Sequence, residues 1–565
     1  MPTASLFSQL DLGKRSLQSQ QAGMNVAGHN IANIGNEHFS RQRVDLDPQH
    51  PLRSRFGTGV DLTAVERITD RFLNERLIGE QARGGELKMR EDGLRRLENL
   101  FNDAEGLGLR GPLNDFWNAW GQLANKPESE IFRQEVINAS KSLSRRFQDV
   151  HKELAAFRME MNGRLAVQVD KINQLARQLV DQNRLIQQTE RGSGQTNDLR
   201  DAREATLKEL SRLIEIDWVE NEKQLVTVSV GEGWPLVVGR RANQLEASFA
   251  NDELGMFSLR GVDSKGISAD LTDTVRGGEM RELIDLRDKT SIHFIDKVNQ
   301  LASELAFKVN RIHATGTGLN TTFDLMRSSF ALRADALNKP LPFLKDGKFS
   351  VQVLDGETNE FLELYEIDVR AGQDTVGDIV NRINQVVGDP NIFEARLEDD
   401  GSVVLASKNP TRFVLGKDET EFSVVMGFNN FFESLEGAKD FRINDRLVEN
   451  PNQITAGTNL LPGDNSKALE IHGLQFLPNM QGNTITFDEF YNATIAELGL
   501  MVNRNTAESQ SQKLVVDQFQ QLRDEVSSVN MDEEVADMVQ FQRGFDAAAR
   551  FISTVDEMTR TVINM

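Results

Sequence analysis

The 565-residue sequence contains no cysteine. That excludes disulfide frameworks, thiolate nucleophiles and cysteine-ligated zinc or iron–sulfur centres. A chain without thiols is also indifferent to redox compartment, so the count does not say where it works. Tyrosine is nearly missing as well, at 2 residues beside 32 phenylalanines, a ratio for which the sequence offers no reason. Basic charge is in deficit: 64 Lys and Arg against 86 Asp and Glu leave a formal net charge of -22. Binding along a phosphate backbone needs a basic face, so nucleic acid is not an expected partner. No apolar run approaches the ~18 residues of a membrane-spanning helix, so membrane insertion is not expected. The stretch from Met1 to Arg15 lacks a basic region followed by a continuous apolar run, and a Sec-type signal peptide is not expected either.

What is present suffices for several cored domains. Hydrophobic residues make up 39% of the chain, and at roughly 100–200 residues per domain the length predicts about three or four units. The two ends share a pattern that the middle lacks. Leu6, Leu10, Gly13, Leu17, Gln20, Met24, Ala27, Ile31 and Ile34 alternate at spacings of four and three, a heptad-like seam with weak positions at Gly13 and Gln20. Val535, Met538, Phe541, Phe545, Ala548, Ile552, Val555, Thr559 and Val562 repeat the alternation after a first step of three. Both ends read as long amphipathic helices, the first about 42 Å long at 1.5 Å per residue. Packing of an apolar face supplies most helical stability, so the two are expected to pack on each other and make everything between them an insertion.

From about 61 to 213 the pattern reads as helix. Asp198 is the expected N-cap of a helix running to 213, after a loop by composition at 191–197. Val226, Val228 and Val230 alternate with Leu225, Thr227 and Ser229 in a strand group over 216–260. Helix resumes over 279–313. The region 336–440 is again strand-rich, with a strand at 349–354, a hairpin over 394–407 turning on Asp399, Asp400 and Gly401, and a helix over 374–387. The expected fold class is α+β: a discontinuous, elongated multidomain protein. Residues 1–60 with 506–565 form a terminal coiled-coil core. Residues 61–335 with 441–505 form a helical domain carrying a small β subregion near 216–275, and 336–440 form an inserted, β-rich outer domain.

Catalytic signatures are missing. His29, His38, His50, His151, His293, His313 and His472 are scattered, with no pair at i, i+4 and no H-E-x-x-H. Asp532, Glu533, Glu534 and Asp537 read as the acidic first turn of a helix, where the macrodipole favours negative charge. No phosphate-binding glycine motif precedes a helix in the required order. Residues 510–565 hold five Lys or Arg against ten Asp or Glu, so that seam suits a protein partner rather than an anionic membrane surface. No catalytic, cofactor-binding or metal-binding residue is assigned and no cofactor is expected. A structural assembly protein is preferred over an enzyme without a readable motif.

Specific residues then resemble a family. His29 to Arg43 is similar to the N-terminal signature of the bacterial flagellar rod, hook and hook-associated proteins. Asn30, Ile31, Ala32, Asn33, Arg41 and Gln42 match it, while Asn36, His38 and Phe39 stand where Thr, Gly and Tyr are usual. Residues 527–558 resemble the C-terminal signature of the hook–filament junction branch. The matches are Val529, Asn530, Asp532, Glu533, Glu534, Phe541, Gln542, Ala547, Ala548, Ala549, Arg550, Ile552, Ser553 and Thr554, with Gly544 and Phe545 departing. Asn197, Leu199, Asp201 and Arg203, then Asn310, His313 and Gly316, then Met426 to Phe432 resemble interior landmarks of the same branch. The resemblance implies a structural, non-enzymatic subunit of a tubular axial assembly. Its implied partners are the hook protein, a second hook-associated junction protein, further copies of itself in a ring, and an export chaperone on the C-terminal segment. It also implies export by the flagellar type III apparatus without a cleaved signal peptide. Other rod or hook proteins share the first signature but not the F-Q…A-A-A-R-x-I-S-T string.

Overall fold

A computed structural model describes residues 2–48, 59–103, 106–191, 196–250, 255–319, 321–333, 336–337, 339–408, 410–461 and 463–563, with the side chains of 2–7, 191 and 563 outside the description. The protein is α+β and divides into two compact units. The first comprises Met1–Asp92, Met159–Leu286 and Asn503–Met565; the second comprises Gly93–Arg158 and Arg287–Val502.

In the first unit, helix Pro2–Ala32 leads into an antiparallel pair, Gln42–Pro48 with Val60–Arg67, running from Gln42 opposite Arg67 to Pro48 opposite Val60 with a one-residue register shift between Asp45 and Leu46. The helical reading from 61 onward therefore begins too early. Helix formation waits until Arg71, because the backbone of 60–67 is taken up by the antiparallel ladder to Gln42–Pro48. Two antiparallel meanders follow helix Asn197–Leu213. One has four strands, from Ile216–Glu220 to Arg241–Ala242, and the other three, from Gln244–Phe249 to Ser268–Asp270. Val226, Val228 and Val230 turn inward from the first meander onto Leu165, Val169, Ile172, Leu207 and Leu210. Asp198 is not the cap of its helix. Thr196 holds that position, and Asp198 lies in the first turn with its carboxylate directed to His29 and Gln42.

Among the described residues the second unit holds two cores. One is aromatic: Phe116, Trp117 and Trp120 of helix Arg110–Asn125 meet Phe431, Phe432 and Phe441, all fully buried. The other fills two antiparallel three-stranded sheets. In the first, Gly347–Asp355 lies between Phe361–Val369 and Thr411–Asp418; in the second, Val403–Ser407 lies between Leu325–Arg327 and Phe393–Leu397. Helix Val376–Val387 packs its Val376, Ile379 and Ile383 into that core, opened by a capping box between Thr375 and Asp378. The expected helix over 279–313 is interrupted. A π-helical turn, Leu286–Thr290, separates Gly278–Asp285 from Ser291–His313.

Candidate functional site: the joined termini

In the first unit, helix Pro2–Ala32 lies against the last helix, Met531–Ile563. Partner numbers run in opposite directions: Gly13 against Ile552, Gly23 against Phe541, Gly28 against Met538. The helices are therefore antiparallel. A methyl group at Gly23 would come within 2.5 Å of the Phe541 ring. Glycine inside a helix costs about 1 kcal/mol relative to alanine, and here it admits an aromatic ring against the backbone.

The last helix presents Glu534, Met538, Phe541, Phe545, Ala548, Ile552, Val555 and Thr559 inward at spacings of four and three, all buried or half-buried. Val535, placed in this series by its apolar character, is 46% exposed, and the buried Glu534 takes its place. Val562 is also exposed. On the first helix, Leu10, Leu17, Met24 and Ile31 are half-buried, and the fully buried positions Gly23 and Asn30 sit one residue earlier than Met24 and Ile31. Ile34 lies beyond the helix and is exposed, and the Leu6 side chain lies outside the described residues.

The signature residues converge where the two helices end. Asn30 Nδ2 donates to Gln42 O at 2.9 Å and to Glu534 Oε2 at 2.9 Å, while its Oδ1 accepts from Gln42 N at 3.0 Å. Arg41 Nε donates to Glu534 Oε1 at 2.6 Å and Arg41 Nη1 to Glu533 Oε2 at 2.8 Å, with Asp537 3.6 Å away. Burial works against the Arg41 charge, but Glu534 and Glu533 outweigh it and raise the guanidinium above its ordinary value. Asn530 Oδ1 accepts from Asp532 N at 3.0 Å, as the N-cap of the last helix. The interior signature joins the same knot. Gln42 Nε2 donates to Asp198 Oδ1, Asn197 Nδ2 to Val65 O and Gln42 Oε1, and Ser40 and Arg67 both bond Asp201. Burial pushes the Asp201 carboxyl up despite the pull of Arg67.

Not every signature residue takes part. The Asn33 side chain donates back to its own helix, at the His29 carbonyl, Asp532 is exposed, and Gln542 and Arg550 are exposed on the outer side of the last helix. Arg523, which sequence reasoning passed over, is 5% exposed and donates to the carbonyls of Glu37 and Phe39. Arg67 was passed over too. Its partner Asp201 is 134 residues away, and no local pattern marks such a pair. Among the described residues no group of three or more His, Cys, Asp or Glu is placed to hold a metal ion. No described helix is long and apolar enough to cross a membrane.

The knot ties the two terminal helices to the segment that follows the first of them. Residues 94–325 match the family described as flagellar hook-associated protein FlgK helical domain, and residues 520–565 match the flagellar basal body rod FlgEFG protein C-terminal family. Flagellar hook-associated protein 1 of Bacillus subtilis is 23% identical over 99% of this chain and 98% of its own length. That of Escherichia coli is 22% identical over 99% and 100%. The chain is a relative of flagellar hook-associated protein 1 from end to end. The fold is shared with the flagellar hook junction protein FlgK from Burkholderia pseudomallei, at a TM-score of 0.55 and 14% identity, covering 81% of this chain and all of that one. These flagellar families are structural, and none is a catalytic family.

Proposed function

We propose that this hook-associated protein 1 relative is a structural junction subunit that joins hook to filament in the bacterial flagellum, outside the cell. The observation that carries the proposal is the state of the terminal helices. They are fastened by a buried polar knot, yet they leave apolar strips partly exposed beside the packed seam. Phe551, Met558 and Val562 fall at i, i+7 and i+11 on one side of the last helix, and Val535 and Val539 at i, i+4 on another, each between 37% and 46% exposed. Such strips suit helix-to-helix packing with neighbouring subunits. The terminal segments 1–60 with 506–565 then form a coiled-coil layer of the axial core, stacking on the hook protein below and on a second hook-associated junction protein above, with further copies of this chain completing a ring. Residues 61–335 with 441–505 act as a helical domain and 336–440 as an inserted, β-rich domain. An export chaperone covers the C-terminal segment before assembly, and the flagellar type III apparatus delivers the chain. Its role is mechanical rather than enzymatic.

The test is Phe551→Asp in cells lacking the native chain. Stability of the purified protein should fall by only about 1 kcal/mol, since the ring is 41% exposed and meets the first helix at Gly13. Immuno-electron microscopy should find the variant missing from the hook–filament boundary and the filaments shed. Firmly attached filaments with the variant in place would sink the proposal.

A further inference from the structure

Strand Phe361–Val369 is the outer member of its sheet. It pairs on one side with Gly347–Asp355, and no strand lies on its other side among the described residues. Only its far end is closed, where Arg382 donates to the Asp368 carbonyl. A nine-residue edge is long for a natural protein to leave open. This one is also apolar: Phe361 is 60% exposed, Leu362 51% and Leu364 45%, while Tyr365, Ile367 and Val369 turn into the core. Open backbone and exposed apolar side chains on one edge are what an added strand requires.

The charges say which strand. Glu360, Glu363, Glu366 and Asp368 line the edge, with no basic residue between positions 360 and 369. The nearest cations are committed: Lys348 reaches Glu366 at 3.0 Å, and Arg370, just past the strand, and Arg382 are both held by Asp374. A second copy laid along the same edge would bring two sets of carboxylates onto one seam, which disfavours self-pairing. A strand of opposite charge gains cross-strand pairs at the same positions. We infer that the Phe361–Val369 edge is a docking site for an extended segment of another protein in which basic and apolar residues alternate, added as a fourth strand to this sheet. The acidic residues exclude the wrong partners and the backbone supplies the common affinity.

The test uses the full-length chain and two labelled ten-residue peptides, one alternating Lys and Val and one alternating Glu and Val. Fluorescence anisotropy should show saturable binding of the basic peptide only, and hydrogen exchange should slow at the amides of 361–367. Glu366→Lys with Asp368→Lys should weaken binding at least about tenfold, since two favourable exposed pairs become repulsive. Leu364→Lys, a second surface variant, should weaken it as well. These positions are solvent-facing, and an unchanged melting temperature reports an intact fold. Equal binding of both peptides, undiminished binding by the charge-reversed variant, slowed exchange elsewhere, or no binding at all would each overturn the inference. So would concentration-dependent self-association that the same variants abolish.

Discussion

The aromatic core of the second unit and the joined termini of the first both rest on phenylalanine, and they bury it to different degrees. Phe116, Phe431, Phe432 and Phe441 are fully buried among Trp117 and Trp120, so every ring has its contacts within the chain. Phe541 and Phe545 are half-buried, Phe551 is 41% exposed, and the tightest positions beside them are glycine, alanine and a clamped carboxylate. The first region is complete in the free chain. The second is fastened at one end by polar contacts and is left apolar along its flanks, as a surface meant for further helices would be.

The contrast can be broken most directly by truncating one ring in each region. Phe431→Ala should cost about 3–5 kcal/mol, the usual range for a buried phenylalanine, because its ring lies 5.3 Å from Trp120 and 4.7 Å from Phe432 with no solvent to fill the gap. Tryptophan fluorescence during denaturant unfolding would measure it. A cost below about 1 kcal/mol, like that expected on the exposed strip of the last helix, would erase the distinction.

Arg41→Ala tests the knot. Glu534 has a side chain only 3% exposed and would keep Asn30 alone as a donor. The expected cost is about 3 kcal/mol, most of it from the stranded charge, read as faster hydrogen exchange over residues 531–545. Adding Glu534→Gln removes that charge and should recover part of the loss. A double variant worse than Arg41→Ala would show that the charge is not what matters.

The smallest effect belongs to pH and the core. His313 is fully buried, with Nδ1 at 2.7 Å from Asn429 O and Nε2 accepting from Thr455 N at 3.0 Å. Burial lowers its imidazole to about 3, from the ordinary 6.5. A histidine depressed on folding contributes its full stability above pH 6.5 and loses it progressively as pH falls toward 3, about 2 kcal/mol by pH 5. Unfolding of the second unit, followed by hydrogen exchange at the amides of 301–313, should follow that slope, and His313→Gln should flatten it. A slope unchanged by the substitution would place the pH dependence elsewhere.

Much of this was legible in the residues. The alternation of four and three found both terminal helices, period-two valines found the strands near 226, and the Asp–Asp–Gly turn found the hairpin between Phe393–Leu397 and Val403–Ser407. Strand Val60–Arg67 was hidden because its polar residues also fit a helical reading. Thr196 was passed over as a cap because Asp198, a stronger capping residue type, stands two positions on. The signatures at 30–42, 197–203 and 530–534 were each visible as strings, but nothing local said that they touch.

By itself the sequence determined periodicity and charge: two apolar seams at the ends, an acidic chain with no cysteine, and the residue types that clamp. Those are properties of neighbours along the chain. Only the tertiary structure decided that Asn30 meets Glu534 across 504 positions, and that the inner face of the first helix runs through Gly23 and Asn30 rather than Met24 and Ile31. One residue along a helix is a rotation of about 100°. Periodicity finds the stripe, whereas the partner helix and its buried Glu534, clamped by Arg41, choose which edge of the stripe faces in.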